Sequence, residues 1–442
     1  MAVVFLLGYA GIALEHPLKI NKSASAILLG AVLWILLALA GESVLVNTSG
    51  MTEYLAHDPG GTFITWLTEN ELVRHLGEIS AILFFLLGAM TIVELVDSHG
   101  GFRILTDRIR TTRKSRLLWI ISLVTFGLSA VLDNLTTAIV MVALLRKLLS
   151  DKKDRWLFAG MVIIAANSGG AFSPIGDVTT IMLWIGGHVT TVNIIVKTVI
   201  PSLVSLFVPL LLLSAGMKGE VQRPASGRED HAATSPTERM TVLVLGVGSL
   251  LFVPVFNALT GLPPYLGILL GLGVLWTATE LMHKDKHGEI RPKVTVAGVL
   301  QRIDTPSILF FLGILLAVAA LRTAGHLDLL AGALSAHIGN LYLINTAIGL
   351  LSAVVDNVPL VAGAIGMYGN TFPADHYFWE MLAYCAGTGG SILIIGSAAG
   401  VAVMGMEKIS FGWYLKRISL PALAGYLAGA AVYWVLSMLV FG

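Results

Sequence analysis

The chain has 442 residues, of which 56% are hydrophobic and only 12% charged, and its formal net charge is +1. Soluble proteins carry about 25% charged residues, so this composition excludes an ordinary soluble protein. The neutral balance, with basic residues confined to short loops, excludes nucleic acid as a partner. The single cysteine, Cys385, excludes a disulfide framework within the chain and a cysteine metal cluster. The composition therefore indicates the lipid bilayer as the main surrounding medium.

Apolar segments long enough to cross a hydrocarbon core of about 30 Å recur along the whole chain. The first has no basic segment before it and no clear cleavage site after it, which favours a short crossing over a signal peptide. In chain order, the segments predict ten crossings, at 2–14, 24–40, 79–97, 156–186, 192–215, 240–258, 264–282, 305–322, 378–407 and 418–440. We therefore expect an all-α polytopic membrane protein.

A further apolar segment, 117–149, is bounded by positive charge at both ends. Six basic residues lie between 103 and 116, and five lie between 146 and 155. A single crossing would place one of these clusters outside, against the positive-inside rule. A re-entrant helical hairpin that returns to the cytoplasm keeps both clusters inside. We therefore predict such a hairpin, with its tip at Asp133 and Asn134.

The tip of this hairpin is repeated in the second half of the chain. Residues 129–134 read SAVLDN, and residues 352–357 read SAVVDN. The second copy lies in a predicted hairpin at 341–369, within a stretch from 323 to 407 that contains no Lys or Arg. This second hairpin is expected to enter from the outside, because the positive charge that marks the cytoplasmic side is missing. One motif approached from two faces is typical of the inverted repeats found in transporters.

The repeat divides the chain into two halves, 1–215 and 240–442, joined by a polar cytoplasmic linker at 216–239. The predicted fold is thus two inverted repeats of five crossings, each with a re-entrant helical hairpin and a broken transmembrane helix. Five crossings per half is an odd number, which an inverted repeat requires. On this topology both chain termini lie outside.

The broken helices are predicted from the glycine content of two crossings. Crossing 156–186 is expected to be interrupted around 167–176, and crossing 378–407 around 387–400. Unwound backbone at membrane depth is tolerated only where it is buried in protein or lines an aqueous cavity. We therefore expect both interruptions to meet the hairpin tips.

The polar side chains at the tips and interruptions form a candidate cation site. A carboxylate near the bilayer centre costs about 2.5–3.5 kcal/mol, which favours a functional role for Asp133 and Asp356. The alternative is that these acids only cap helix amides, and it is stronger for Asp177, which follows a Pro-Ile-Gly sequence at the expected start of a half-helix. The candidate residues are Ser129, Asp133, Asn134, Thr136, Thr137, Asn167, Ser168, Asp177, Thr179, Thr180, Ser352, Asp356, Asn357, Thr388 and Ser391.

The chemistry of this set favours a small cation as the transported species. Carboxylates, carboxamides and hydroxyls are hard oxygen ligands, which suit Na⁺ or Li⁺ better than a soft metal. No Lys or Arg lies near either tip motif in the sequence, so a bulky anion would depend on helix N-termini alone. Burial favours the neutral form of a carboxyl group, so one site can hold either a proton or a metal ion. No resident cofactor is expected.

The sequence resembles the NhaD-type sodium/proton antiporters of the ion transporter superfamily. The resemblance lies in residues 129–141 (SAVLDNLTTAIVM), 167–187, 352–368 (SAVVDNVPLVAGAIGMY) and 387–408. It implies extrusion of Na⁺ or Li⁺ driven by proton entry, a homodimer, elevator-like movement and a bacterial inner membrane location. Carried over by motif, the expected cation and proton site is Asp133, Asn134, Asp177, Thr179, Thr180, Asp356 and Asn357.

Two other functions remain open on the sequence. A sodium-coupled carrier of dicarboxylates or an arsenite exporter could use the same superfamily fold, but it would be expected to have anion-binding Asn and Thr motifs at both tips. An intramembrane aspartyl protease would also need paired buried carboxylates. Such a protease would not need inverted repeats, so we expect a secondary transporter rather than an enzyme.

Overall fold

The computed structural model describes residues 1–13, 15–46, 48–58, 60–102, 109, 111–222, 234–284 and 294–440. The predicted linker at 216–239 and the basic cluster at 103–116 therefore lie partly outside the described residues. The structure is helical throughout this part of the chain, with a single isolated bridge between Arg113 and Glu220 and no strand. The predicted all-α fold class is confirmed.

The helices are, in chain order, α1 (Ala2–Ala13), α2 (Glu15–Leu18), α3 (Lys22–Ala40), α4 (Ser49–His57), α5 (Phe63–Thr65), α6 (Val73–Ser98), α7 (Lys114–Ser129), α8 (Asn134–Leu148), α9 (Lys152–Ala171), α10 (Val178–Ile185), α11 (Thr191–Ala215), α12 (Pro236–Thr260), α13 (Pro264–His283), α14 (Val296–Leu300), α15 (Thr305–Thr323), α16 (His326–His337), α17 (Leu341–Leu351), α18 (Asn357–Tyr368), α19 (Tyr377–Gly389), α20 (Ala398–Glu407), α21 (Phe411–Arg417) and α22 (Ser419–Leu439). A 3₁₀ turn, Gly41–Val44, extends α3, and a π-helical segment, Trp66–Leu72, joins α5 to α6.

Seven helical segments of the described chain are long and apolar enough to cross a membrane. They coincide with seven of the predicted crossings, and the count rises to eight if α16 and α17, bent by 119°, form one span. The protein is therefore a multi-pass membrane protein. The other predicted crossings correspond to the 12-residue helix α1 and to two interrupted pairs, α9 with α10 and α19 with α20. The total of ten stays a prediction.

The described chain forms two compact units. The first contains Met1–Leu86, Asp304–Ile344 and Val358–Pro373. Its central pair of helices is α3 and α15, which approach closely because glycines face each other: a Cβ added to Gly30 would lie 2.6 Å from the Gly313 carbonyl oxygen. Small residues allow such close packing between membrane helices. Trp34 fixes the register of this pair by donating from Nε1 to the Leu316 carbonyl oxygen at 3.0 Å.

The second unit contains Leu87–Ile303, Asn345–Asn357 and Ala374–Gly442. A buried hydrophobic cluster in this unit is formed by side chains from α7, α8, α9, α11, α20, α21 and α22. It includes Ile394, which lies in the interruption between α19 and α20. The buried Tyr414 of α21 reaches the second interruption, where its hydroxyl donates to the Ser391 carbonyl oxygen at 2.8 Å. The cluster thus supports the backbone of the second interruption.

An ion cluster ties three elements of the second unit together at the end of α20. The carboxylate of Glu407, 2% exposed, accepts from Arg146 Nε at 2.6 Å and from Arg155 Nε at 3.0 Å. Trp156 Nε1 donates to the Glu407 carbonyl oxygen at 3.0 Å. The end of α8 and the start of α9 are therefore both fixed to the end of α20.

Replacing Glu407 by alanine is expected to destabilise this unit. The change removes two charge-assisted hydrogen bonds, but both guanidinium groups keep access to water. We therefore expect the free energy of unfolding to fall by about 1–3 kcal/mol. The measurement is the thermal unfolding midpoint of the purified protein in detergent, with a change of the exposed Glu69 to alanine as the control. An unchanged midpoint in the Glu407 variant would show that the cluster is not stabilising.

Candidate cation site

Four helices begin at a hairpin tip or directly after the interruption of a helix pair: α8, α10, α18 and α20. Asp133, Asp177 and Ser397 are the N-caps of α8, α10 and α20, and Asn357 is the first residue of α18. Each N-cap side chain accepts a backbone N–H of its own helix, as short polar residues at this position commonly do. The capping role considered from the sequence is therefore present for Asp133 and Asp177, and it leaves other carboxylate lone pairs available for further contacts.

In the first half, the hairpin is packed directly on the broken helix. Ser129 Oγ, at the end of α7, donates to the Ala166 carbonyl oxygen at 2.6 Å. A Cβ added to Gly176 would lie 2.5 Å from the Ser129 carbonyl oxygen. Only a glycine lets the two backbones approach so closely.

The second half has the same arrangement at the matching positions. Ser352 Oγ donates to the Ala386 carbonyl oxygen at 2.8 Å. A Cβ added to Gly396 would lie 2.7 Å from the Ser352 carbonyl oxygen. In each half, the repeated serine and glycine therefore hold the hairpin against the interruption of its own broken helix.

The carboxylate of Asp177 is the centre of the network between the two halves. Asp177 is 1% exposed, and its Oδ2 accepts from Asn134 Nδ2 at 2.9 Å and from Asn357 Nδ2 at 3.2 Å. Asn134 belongs to the tip of the first hairpin and Asn357 to that of the second. The two repeated DN motifs thus meet on one buried acid.

Asn167 links this acid to the second interruption. Its Oδ1 accepts from Asn134 Nδ2 at 3.0 Å, and its Nδ2 donates to Ser391 Oγ at 2.9 Å and Ser397 Oγ at 3.0 Å. Asn167 is fully buried and helical, because α9 continues to Ala171. The interruption thus begins later than expected from the glycines at 169 and 170.

The other two acids lie at the edge of this network. Asp133 and Asp356 are partly exposed, and both are close enough to Asp177 to repel its charge. Asp133 also accepts from Thr136, from its backbone N–H at 2.8 Å and from its hydroxyl at 2.5 Å. The three acids therefore belong to one electrostatic group, with Asp177 the most deeply buried.

The remaining candidates divide by what their hydroxyl groups contact. Thr180 completes the capping box of α10 together with Asp177. Thr137 and Thr179 are fully buried beside the helix starts. The Thr137 hydroxyl has no hydrogen bond to any described residue. Ser168 bonds to Ser205 Oγ at 2.8 Å, and Thr388 donates to its own helix at the Tyr384 carbonyl oxygen. The hydroxyl hydrogens of Ser129, Ser352 and Thr388 are thus used on backbone carbonyls, which fits a packing role for these three.

Sequence reasoning did not identify Gly387 as part of the site. Gly387 is helical and buried, and a Cβ added to it would lie 3.5 Å from Asp177 Oδ2. In the repeat, Gly387 occupies the position that Asn167 has in the first half. A residue-by-residue alignment of the two halves would have shown this exchange of an amide for a glycine. The site is therefore asymmetric, with one central acid and one bridging amide, both from the first half.

The arrangement is suited to a cation. The side chains joined to Asp177 by these hydrogen bonds carry carboxamides and hydroxyls, and the nearby charged groups are two further carboxylates. These are hard oxygen ligands, which bind small hard cations. The carboxylates also bind protons, so the network can hold either species.

The profile of the citrate transporter family matches residues 2–382 of the chain. The chain belongs to this family. A member of it is a membrane transporter, so this protein is a secondary transporter rather than an enzyme.

Within this family, the chain is similar to proteins named as sodium/proton antiporters. It is 49% identical to sodium/proton antiporter 1 of Arabidopsis thaliana over 98% of the chain and 71% of that protein. It is 30% identical to the Na⁺/H⁺ antiporter NhaD of Alkalimonas amylolytica over 97% of the chain and 89% of the relative. The NhaD of Vibrio cholerae is 29% identical, over 98% of the chain and 91% of that protein. The resemblance to NhaD-type antiporters is thereby confirmed.

Proposed function

We propose that the protein exchanges cytoplasmic Na⁺ or Li⁺ for external H⁺ by alternating access. The proposal is supported by plant and bacterial relatives that are named sodium/proton antiporters. The observation that carries it is the buried carboxylate of Asp177, held by amides from both hairpin tips. A single buried acid shared by the two halves can serve both ions in turn.

Competition for this acid gives a simple mechanism. A proton neutralises Asp177, and a metal ion takes its place only when the proton leaves. Asn134 and Asn357 present their Nδ2 groups to the carboxylate, but an amide also carries an oxygen acceptor. Rotation of these amides would bring oxygen atoms toward a bound cation. If only the loaded forms of the site move across the membrane, exchange follows.

We also propose that the chain is built from two inverted repeats whose hairpins are re-entrant, and that the site moves in an elevator-like manner. Matching serine and glycine contacts in the two halves support the repeat. The hydrogen bonds between tips and interruptions favour movement of these elements as one body. We expect the protein to form a homodimer in a bacterial inner membrane, with both chain termini outside.

A second candidate function follows from the family description, which is that of a citrate transporter. A citrate anion is bound by cationic groups or by helix N-termini. Four helix starts meet at this site, but two of them are capped by the acids Asp133 and Asp177. Here Asp133, Asp177 and Asp356 would repel it, and the amides that donate hydrogen bonds are already directed at Asp177. Na⁺/H⁺ exchange therefore fits this site better than carriage of citrate or another dicarboxylate.

Everted membrane vesicles test the proposal. Addition of Na⁺ should collapse a pre-formed pH gradient in vesicles that contain the natural protein, because Na⁺ entry is coupled to H⁺ exit. Asp133→Asn and Asp356→Asn are each expected to weaken this response, because each removes one of the two acids beside Asp177, while the protein still inserts normally. An undiminished response in both variants would contradict the site. Uptake of citrate or arsenite without Na⁺-coupled proton movement would instead favour the second function.

A further inference from the structure

A buried ion pair lies in the first turn of α19, outside the Asp177 network. Lys197 Nζ, from α11, donates to Glu380 Oε1 at 2.9 Å and to the Asp375 carbonyl oxygen at 2.9 Å. The Glu380 side chain is 0% exposed and that of Lys197 is 15% exposed. A charge buried so deeply is found where it is paired or has a function.

The pairing of Glu380 is incomplete. Its Oε2 atom is buried and has no hydrogen-bond partner among the described residues. A purely structural ion pair is normally accompanied by hydrogen bonds that satisfy its remaining lone pairs. Oε2 is therefore an open acceptor that could take a proton.

The position of Glu380 relates it to the cation site. Glu380 and Gly387 are seven residues apart on α19, so they lie on the same face of the helix, about 10 Å apart along its axis. Gly387 lies against Asp177 Oδ2. Glu380 is thus an acid that α19 places on the face that borders Asp177, two turns nearer the start of the helix.

Among the described residues, the titratable groups next to Glu380 are Lys197 on α11, Asp375 and His376 in the segment before α19, and the buried Tyr384 one turn further along α19. His188, in the segment after α10, is one residue removed, because its ring lies 4.4 Å from that of Trp379. Asp375 binds this last segment by accepting from the Thr190 N–H at 2.7 Å and its hydroxyl at 2.9 Å. On the predicted topology, this end of α19 faces the outside.

We propose that Glu380 receives the external proton before it reaches Asp177, and that Lys197 holds Glu380 in position. The inference rests on the proposed exchange of Na⁺ for H⁺. A hydronium ion from the outside gives its proton to Glu380 Oε2 and becomes water. The proton then passes along hydrogen-bonded water to Asp177, and Glu380 returns to the carboxylate. Lys197 keeps its own proton throughout, so one proton is moved and no charge remains behind.

The test is made on the purified full chain in lipid vesicles, over a pH series at several Na⁺ concentrations. Glu380→Gln should lower the maximal exchange rate by about tenfold or more at alkaline pH, where protons are scarce and a collecting group matters most. The pH optimum should shift toward acid, because more external protons compensate for the lost group. The Na⁺ concentration at half-maximal rate should not change, and Glu380→Asp should recover part of the rate.

The matched control is Glu407→Gln, which also neutralises a buried, ion-paired carboxylate, at the end of α20. It should lower thermal stability without moving the pH optimum. If Glu380→Gln does not fold, the double variant Lys197→Gln with Glu380→Gln replaces the pair by two amides that can bond to each other, and it should show the same acid shift. An unchanged pH optimum in a folded Glu380 variant, or an altered Na⁺ requirement alone, would overturn the relay. Absence of Na⁺-dependent proton movement in the natural protein would overturn the exchange itself.

Discussion

Asp177→Asn is expected to lower Na⁺-dependent proton movement by about tenfold to a hundredfold, because the site then has no central charged oxygen to bind either ion. A charged hydrogen-bonded group contributes about 1.5–3 kcal/mol at a buried site, and tenfold in rate or affinity corresponds to about 1.4 kcal/mol. Asparagine is also a good N-cap, so α10 should still form. The measurement is pH-sensitive dye fluorescence in vesicles containing the purified protein, after addition of Na⁺ or Li⁺.

Asp151→Asn provides the matched control for this experiment. Asp151 is the exposed N-cap of α9 and accepts from the Asp154 N–H at 2.9 Å, so the change removes a charge from a capping aspartate far less buried than Asp177. It should leave exchange close to normal. If Asp177→Asn exchanged ions as well as Asp151→Asn, Asp177 would be only a helix cap, and the proposed mechanism would be wrong.

The second large effect is expected from the glycines that allow the helices to cross. A Cβ added to Gly389 would fall on the carbonyl group of Gly349, and one added to Gly169 would fall on that of Phe126. These neighbours are backbone atoms, which cannot turn aside as a side chain can. We expect Gly389→Ala or Gly169→Ala to destabilise the protein by about 3 kcal/mol or more, because the packed helices must separate.

Yield of folded protein in the membrane and the unfolding midpoint in detergent measure this effect. Gly405→Ala, in α20, is the control, because a Cβ there meets no described atom within 4 Å. This control should be neutral or stabilising by about 0.5–1 kcal/mol, since alanine favours the helix more than glycine does. Equal yields and midpoints for the two kinds of variant would show that close backbone contact is not required.

The sequence predicted the membrane class and ten crossings, seven of which coincide with long apolar helices of the described chain, because long apolar segments are a strong local signal. It did not predict α16 (His326–His337), which is shorter than a crossing and has exposed polar residues. It also placed the start of the first interruption at Asn167, whereas α9 continues to Ala171. Glycine lowers helix propensity, which is why an earlier break is expected from the sequence. In the structure, Gly169 packs closely against the backbone of α7, and α9 continues through it as a helix.

The residues of the site were predictable as a group, but their relations were not. Motif and hydropathy identify Asp133, Asn134, Asp356 and Asn357 at two hairpin tips. They do not distinguish a central role for Asp177 from simple capping of a helix N-terminus. Its central position depends on amides that come from both halves of the chain. The Lys197–Glu380 pair joins residues 183 positions apart, so no local pattern indicates it. A single sequence does not show which distant segments of the chain come into contact.

The meeting of four helix starts at one place has a consequence for how firmly a cation is held. Each N-terminus carries a partial positive charge of about half an elementary unit. The starts of α8, α10, α18 and α20 therefore offset part of the negative potential of three aspartates. A cavity lined by the acids alone would retain its ion, whereas this partial cancellation weakens retention and allows the cargo to be released in each turnover.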